Sequence, residues 1–158
     1  VFAPSGLVVS TTSPDSTNPV FQQVASGLGE LLPRLPSSPI TAGQTWSDTV
    51  TRTPGGTSIS TRFVRQHRVV GWEDRDGARA LHLTTVSAYT VTGTTEAQGQ
   101  QIELNGSGVS TRDSFVSAAG LFLGSVESDS ALVNANVTSV GIVIPVRQAR
   151  HSTIARIP

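Results

Sequence analysis

The residue types that perform chemistry are scattered along this chain rather than gathered into a motif. The densest charged cluster, residues 73–77, places three carboxylates within four residues, and carboxylates are the ligands that calcium prefers. No acidic residue stands at the closing position of a calcium loop, and Arg75 adds a positive charge among the would-be ligands. We therefore predict a solvated hairpin turn here and no metal site in the chain.

The three histidines are far apart, and no two of them have the spacing of a metal-binding pair. We expect His67, His82 and His151 to occupy half-exposed positions on strands or in a tail. A serine, histidine and aspartate triad stays open as an alternative, since its members can be distant in sequence. The chain has no Gly-x-Ser-x-Gly elbow. Its nearest approach, residues 106–108, falls in a strand pattern where glycines permit a bulge or a close backbone approach. We predict no catalytic residue.

A local basic patch lies on one long predicted strand and comprises Arg62, Arg65, His67 and Arg68. Because side chains alternate along a strand, Arg62 and Arg68 share one face, whereas Arg65 and His67 take the other. This division argues against a single anion site. An arginine-studded strand is more typical of protection against edge pairing or of a protein-docking rim.

Trp46 and Trp72 are the only tryptophans of the chain. Most aromatic residues of a small sheet belong to its core, but tryptophan is also enriched where proteins bind each other. An exposed Trp46 or Trp72 is therefore a candidate contact with a partner or with an apolar ligand.

The composition excludes several classes of function. Eleven arginines balance eleven acidic residues and only 14% of residues are charged, so no broad field attracts nucleic acid. The absence of cysteine rules out thiol catalysis, thiolate-bound metal clusters and disulfides, and we predict no cofactor. No apolar run is long enough for a transmembrane segment. The low charge and the many Thr, Ser and Gly residues are typical of extracytoplasmic bacterial proteins, and a start at Val1 without methionine suggests a processed or incomplete chain.

Residues 1–18 are rich in Ser, Thr and Pro and are predicted to form an extended arm. Within the arm, Leu7, Val8 and Val9 form a brief apolar stretch that is able to add a strand to a sheet edge. An arm of this composition does not bury enough surface to fold by itself, so we expect its own domain or a partner to hold it.

Residues 19–39 are predicted to form a helix followed by a proline-rich connector. Phe21, Val24 and Leu28 recur at helical spacing and make an apolar stripe. Two interior glycines make the helix marginal, so we expect its stripe to pack on the sheet or on a partner.

From residue 40 to residue 150 the apolar residues alternate with a period of two, which predicts an antiparallel β-domain. Short glycine-containing turns separate the runs, and about seven strands are expected. The expected strands are 45–52, 58–72, 78–93, 101–112, 120–127, 131–137 and 140–148, with a turn at 128–130, a bend or short strand at 114–119 and a loose tail at 151–158. Pro145 marks the last strand as an edge strand or a bulged one. The fold class is thus all-β with one short helix, in a curved, half-barrel-like meander whose open side the helix can cover.

Residues 35–46, with a proline followed by Gly43-x-x-Trp46 and a meander of long strands, resemble the lipoprotein-carrier-like half-barrel proteins of bacterial envelopes and related secreted domains of unknown function. The resemblance spans residues 35–150. It implies a curved antiparallel sheet with an apolar concave side under a helix, for a lipid tail, and it assigns no functional residues.

Together these features predict a non-catalytic, extracytoplasmic protein-interaction module of the periplasm or cell surface. We expect an accessory or structural subunit of a larger envelope or membrane-associated assembly, with other protein subunits as partners. The alternative is a domain that binds a lipid or another apolar small molecule between the helix stripe and the inward strand residues. A hydrolase is the third alternative.

Overall fold

The computed structural model describes residues 34–36, 39–53, 57–75 and 77–155, and all regular structure in these ranges is β-strand. The six strands are β1 Thr45–Arg52, β2 Ser60–Arg75, β3 Ala78–Ala97, β4 Gln100–Ser117, β5 Phe122–Val137 and β6 Ile142–Ala155. They form one open antiparallel sheet in which each strand pairs with its neighbours in sequence. The predicted all-β antiparallel meander is confirmed, with six strands in these ranges rather than about seven.

The turn predicted at residues 128–130 does not exist, because β5 runs straight through it. Asp129 pairs with Ser110 on β4 and with Arg150 on β6. The segment contains neither Gly nor Pro, so pairing on both sides outweighs the turn preference of Ser and Asp.

Three further boundaries differ from the sequence prediction. The expected tail is wrong for residues 151–155, which continue β6 because the uninterrupted β5 gives them a partner. Residues 114–117 belong to β4 instead of forming a separate bend. Residues 73–75 belong to β2, so only a tight turn at Gly77 remains of the predicted loop.

The predicted arm and helix lie outside the described residues, as do the apolar residues predicted there as contacts, Leu7, Val8, Val9, Phe21, Val24 and Leu28. Of the connector, residues 34–36 and 39 are described, and they form neither helix nor strand.

The two faces of the sheet differ in exposure. Along β2, Phe63 and His67 are shielded, whereas Arg62, directly before Phe63, and Arg68, directly after His67, are exposed. We call the face that carries Phe63 and His67 the inner face and the opposite one the outer face. A single sheet shields one face when it curls toward it, as a half-barrel does. The buried apolar residues are Val69 and Leu83 on the inner face, and Ala80 and Phe115, which have the opposite strand parity.

Two positions require the backbone freedom of glycine. The pairing of β2 with β3 shifts register between Val69 and Gly71, where Gly71 has a φ of 150° and an extra residue bends β2. At the turn between β3 and β4, Gln98 and Gly99 both have positive φ, which is typical of the two-residue turn that matches strand twist. This bulge and this turn shape the long hairpins whose side chains form the inner face.

Candidate functional site

Polar and charged side chains cross the middle of the inner face, where apolar side chains are expected. Strand pairing places Asp48 beside Arg65, and His67 beside Thr85. It also aligns Thr85 with Arg112 on the next strand. We call this set the polar band; its members are Asp48, Arg65, His67, Thr85, Ser87, Ser110, Arg112 and Glu127. Burial of so many polar groups at the centre of one face makes the band the strongest candidate site.

Asp48 and Arg65 form the best-defined ion pair of the band. The Nε and Nη2 atoms of Arg65 each donate a hydrogen bond of 2.7 Å to one carboxylate oxygen of Asp48. The two side chains are only 15% and 18% exposed, for Arg65 and Asp48 respectively. Burial by itself raises the pKa of Asp48, but the hydrogen bonds and charge of Arg65 outweigh it, with help from His67, and hold that pKa below its usual range. Asp48 is thus a fixed anion that orients its neighbours.

His67 is 2% exposed and lies between Asp48, Thr85 and the ring of Trp46. Its Nδ1 atom is 2.9 Å from the Thr85 hydroxyl, and its Nε2 atom is 3.4 Å from Asp48 Oδ1. Because a carboxylate only accepts hydrogen bonds, the neutral ring is best placed with its proton on Nε2 and with Nδ1 accepting from Thr85. Burial lowers the pKa of His67, only partly offset by Asp48, so the ring stays neutral near pH 7.

A second ion pair and the guanidinium of Arg52 also lie around a small cavity of the polar band. Nη2 of Arg112 donates a 2.6 Å hydrogen bond to Oε2 of Glu127, and the guanidinium of Arg52 lies 4.7 Å from the ring centre of Phe63. Burial, reinforced by the charges of Arg65 and Arg112, lowers the pKa of Arg52 to about 10. The cavity measures about 40 Å³ and is lined by Arg52, Phe63, Arg65, His67, Thr85, Ser87, Ser110, Arg112 and Glu127.

The side chain of Tyr89, on β3, extends across β4 next to the polar band. Its hydroxyl donates a 2.8 Å hydrogen bond to Oδ2 of Asp129 on β5. The ring reaches β5 because Gly108, its pairing partner on β4, has no side chain; a Cβ there would lie 2.3 Å from the ring. The predicted close approach at residues 106–108 is therefore confirmed. Burial raises the pKa of Tyr89 to about 12, together with the hydrogen bond and charge of Asp129.

The order of Asp48, His67 and Thr85 is that of a carboxylate, an imidazole and a hydroxyl, the arrangement that activates nucleophiles in hydrolases. Two features weigh against that use. Thr85 is 8% exposed, and the cavity beside it measures about 40 Å³, which limits the size of a group that can reach its hydroxyl. Both carboxylate oxygens of Asp48 already accept hydrogen bonds from Arg65. The geometry suits binding of a small polar group better than attack on an ester.

A second imidazole and carboxylate cluster lies on the outer face. His82 contacts two carboxylates, with Nε2 2.8 Å from Oδ1 of Asp113 and Nδ1 3.2 Å from Oε2 of Glu73. Thr84 donates a 2.7 Å hydrogen bond to the same Asp113 oxygen. Burial raises the pKa of Asp113, but the hydrogen bonds from His82 and Thr84 and the charge of His82 outweigh it, so the net change is downward. We call this set the outer cluster.

The basic patch divides between the two faces, as its spacing predicts. Arg62 and Arg68 are exposed on the outer face, whereas Arg65 and His67 lie in the polar band. The expectation that every histidine is half-exposed is wrong for His67, which has the parity of the shielded Phe63 and is covered by Trp46. The sequence reasoning missed the band because its members come from β1 to β5 and only strand register brings them together. The available signal was that charged residues occupy the same alternating strand positions as apolar ones, which predicts that their side chains point inward.

The two tryptophans have different surroundings. Trp46 stacks on His67 with ring centres 5.1 Å apart, and its Nε1 donates a 2.8 Å hydrogen bond to the Arg34 carbonyl oxygen. It also borders an outer groove of about 670 Å³. Trp72 is 49% exposed, with the guanidinium of Arg79 5.4 Å from its ring centre. Trp72 therefore meets the condition set for a partner contact, and that role remains a prediction.

Among the described strands, β6 is an edge strand, in agreement with the position of Pro145. Nearly every residue of β6 is exposed on both faces. The strand has two halves: residues 142–146 are apolar, and residues 147–151 contain two arginines and a histidine. The exposed apolar side chains of this half are Ile142, Val143, Ile144 and Val146. The edge thus exposes four large apolar side chains to solvent.

No protein-family model, curated protein or solved structure matches this chain. Among the described residues, no group of three or more His, Cys, Asp or Glu side chains is arranged to hold a metal ion. The same residues include no helix with the length and apolar character needed to cross a membrane.

Proposed function

We propose that this chain is a non-catalytic, extracytoplasmic interaction module that binds an extended segment of another protein along β6, as a subunit of a larger envelope assembly. The observation that carries the proposal is the exposed edge of β6 with its apolar half, residues 142–146. An edge strand offers a row of backbone donors and acceptors, to which an extended segment adds by strand pairing.

The two halves of β6 define the partner. The apolar half favours a segment with alternating apolar side chains, and the basic half, with Arg147 and Arg150, favours acidic residues in the part that follows. Pro145 has no backbone donor, so the partner gains most of its hydrogen bonds on either side of that position.

A second copy of the chain fits this edge poorly. If two β6 strands pair antiparallel over their full length, Ile142 lies opposite Ala155 and Arg147 lies opposite Arg150. Directly opposed like charges destabilise a strand pair, and Ile144 and Val146 then lie opposite Thr153 and His151. A different protein with an apolar and acidic segment is the better match.

The test compares edge variants of the protein isolated from its own cells. Ile144→Asp places a charge in the apolar half and should abolish the partner's mass in native mass spectrometry. Ser47→Asp, on the opposite edge strand β1, is the matched control and should retain it. Hydrogen exchange should show β6 amides slowed in the complex. A complex that survives Ile144→Asp, or that leaves β6 exchange unchanged, would exclude β6 as the interface.

A further inference from the structure

The backbone groups of β6 face β5 and the open side in alternation, because residues of an antiparallel pair that direct N–H and C=O toward the neighbour alternate with residues that direct both away. The amide of Thr138, directly after β5, donates to a carbonyl oxygen of β4. The peptide groups of Val137 therefore face β6, and those of its partner Ile142 face β5. The carbonyl oxygen of Ile154 also points at β5, since it lies 2.7 Å from where a Cβ of Gly124 would stand. With no register shift between the two strands, even-numbered residues of β6 bond to β5 and odd-numbered ones face the open side.

Pro145 is odd-numbered, so the donor that it lacks would face the open side. This placement keeps the pairing with β5 intact, as is usual for proline in an edge strand. It also interrupts the row of open donors between Val143 and Arg147. Beyond the interruption the row is continuous, and its members are Arg147, Ala149, His151, Thr153 and Ala155. A partner strand therefore finds unbroken backbone pairing only along residues 147–155.

Arg147 carries a charge without a counterpart at the start of this row. Its side chain is exposed on the outer face and lies opposite Leu132 of β5. None of the ion pairs among the described residues includes it. Arg150 differs, because it lies opposite Asp129 and its charge acts on Tyr89. A carboxylate on a paired strand, directly opposite Arg147, would complement the open charge.

The inward side chains on the other side of Pro145 continue the apolar rows of the inner face. Strand pairing aligns Ile144 with Ala135 and Leu104, and Val146 with Val133. Ile144 and Val146 are 49% and 50% exposed at the open edge. A strand that passes beside them can cover these two side chains without any hydrogen bond to Pro145.

We propose that the partner segment pairs its backbone with residues 147–155 of β6 and places an acidic side chain opposite Arg147. Its continuation past Pro145 covers Ile144 and Val146 with apolar side chains. This assignment rests on the function proposed above and divides the interface into a hydrogen-bonded part and a packed part.

Amide hydrogen exchange of the free 158-residue chain tests the orientation of the backbone groups. Amides that bond to β5, those of Gln148 and Arg150, should exchange more slowly than the open amides of Ala149 and His151, by about tenfold or more. Binding of the partner should then slow the open amides. Reversed protection in the free chain, or open amides that stay fast in the complex, overturns the inference.

A proline at an open position removes one donor of the row, as Pro145 does. Ala149→Pro should weaken the complex isolated from its own cells by about tenfold, because a carbonyl oxygen of the partner loses its donor. Slow exchange at Arg150 checks that β6 still pairs with β5 in this variant. The matched control is Ser47→Pro on β1. Its amide also faces an open side, because the carbonyl oxygen of Gln44 accepts from Val69 on β2, and affinity should stay unchanged.

The charge is tested by Arg147→Gln, with Arg62→Gln on the outer face of β2 as the control. Arg147→Gln should weaken the complex at low ionic strength and make its dissociation less sensitive to salt, whereas Arg62→Gln should change neither. Wild-type affinity and salt dependence in Arg147→Gln would exclude an acidic residue opposite it.

The pairing scheme and the proposed interface fail in different ways. If Ile144→Asp abolishes the complex and Ala149→Pro leaves its affinity unchanged, the partner packs on the apolar half without pairing to residues 147–155. That result overturns the inference and keeps the interface. A complex that survives Ile144→Asp excludes the interface, and the pairing scheme with it.

Discussion

His67 and His82 lie on neighbouring strands and both contact carboxylates, but their surroundings differ. His67 is buried in the polar band, where the one carboxylate it contacts, Asp48, is bound at both oxygens by Arg65. His82 lies in the outer cluster between two carboxylates, and those of Glu73 and Asp113 are about two-fifths exposed. The same residue types therefore form a shielded network on the inner face and one with more exposed carboxylates on the outer face. Burial and the nearby guanidinium make the difference.

The largest effect should follow from breaking the ion pair of the band. In Arg65→Met, the carboxylate of Asp48 remains shielded without its two hydrogen bonds, and the free energy of unfolding should fall by about 2–3 kcal/mol. Arg62→Met, on the exposed parity of the same strand, should change it by less than about 0.5 kcal/mol. Denaturant unfolding measures both values. Equal losses would mean that the two faces do not differ in the way described.

A rescue variant separates the charge from the packing of the side chain. Adding Asp48→Asn to Arg65→Met removes the isolated carboxylate and should recover part of the lost stability. If the double variant is as unstable as the sum of the two single changes, the loss comes from packing of the arginine stem instead.

The next largest effect should come from the glycine that lets Tyr89 cross β4. In Gly108→Ala the new methyl group would lie 2.3 Å from the tyrosine ring and 2.7 Å from the carbonyl oxygen of Ser130. The ring must move away from Asp129, and the free energy of unfolding should fall by about 1–3 kcal/mol. Ser107→Ala, on the outer face, is the control and should be nearly neutral. Wild-type stability in Gly108→Ala would show that the inner face tolerates more bulk than its packing indicates.

How far the sequence predicts this site depends on which physical signal defines each residue. Side-chain alternation suffices to separate Arg65 and His67 from Arg62 and Arg68, and it predicts the strands of the meander. It does not give strand register, and register is what joins Asp48 to Arg65. Local preference failed at Asp129, where pairing on both sides overrides the turn tendency of a Ser-Asp-Ser segment. Buried polar networks are thus the least predictable part, because their partners are distant in sequence.

The pH dependence of stability should divide between the two clusters. Since the pKa of His67 is lowered in the folded state, its contribution is present above about pH 6.5 and is lost as the pH falls, when only the unfolded chain takes up the proton. The lowered pKa values of Asp48 and Asp113 add a second loss below about pH 3.8. Unfolding measured from pH 8 to pH 3 should therefore show two declines.

Variants assign each decline to its cluster. His67→Gln should remove the decline that begins near pH 6.5, whereas His82→Leu should leave it intact and reduce only the acidic one, because Asp113 loses the hydrogen bond that lowers its pKa. A decline near pH 6.5 that disappears in His82→Leu would reverse the assignment of the two histidines.

The smallest effect is spectroscopic and leaves the fold intact at neutral pH. Tyr89 is the only tyrosine of the chain, so its ionisation can be followed directly by ultraviolet absorbance. Burial and the hydrogen bond to Asp129 raise its pKa to about 12, against 10.0 for an ordinary tyrosine. Because the unfolded chain releases this proton first, the stabilising contribution of Tyr89 is complete below pH 10.0 and is lost as the pH rises toward 12. Asp129→Asn should lower the titration midpoint toward the ordinary value, whereas a charge removed from the outer cluster, in Asp113→Asn, should not move it. A midpoint near 10 in the folded wild-type protein would show that solvent reaches the inner face at Tyr89. The difference in solvent exposure between the two faces would then be limited to the polar band.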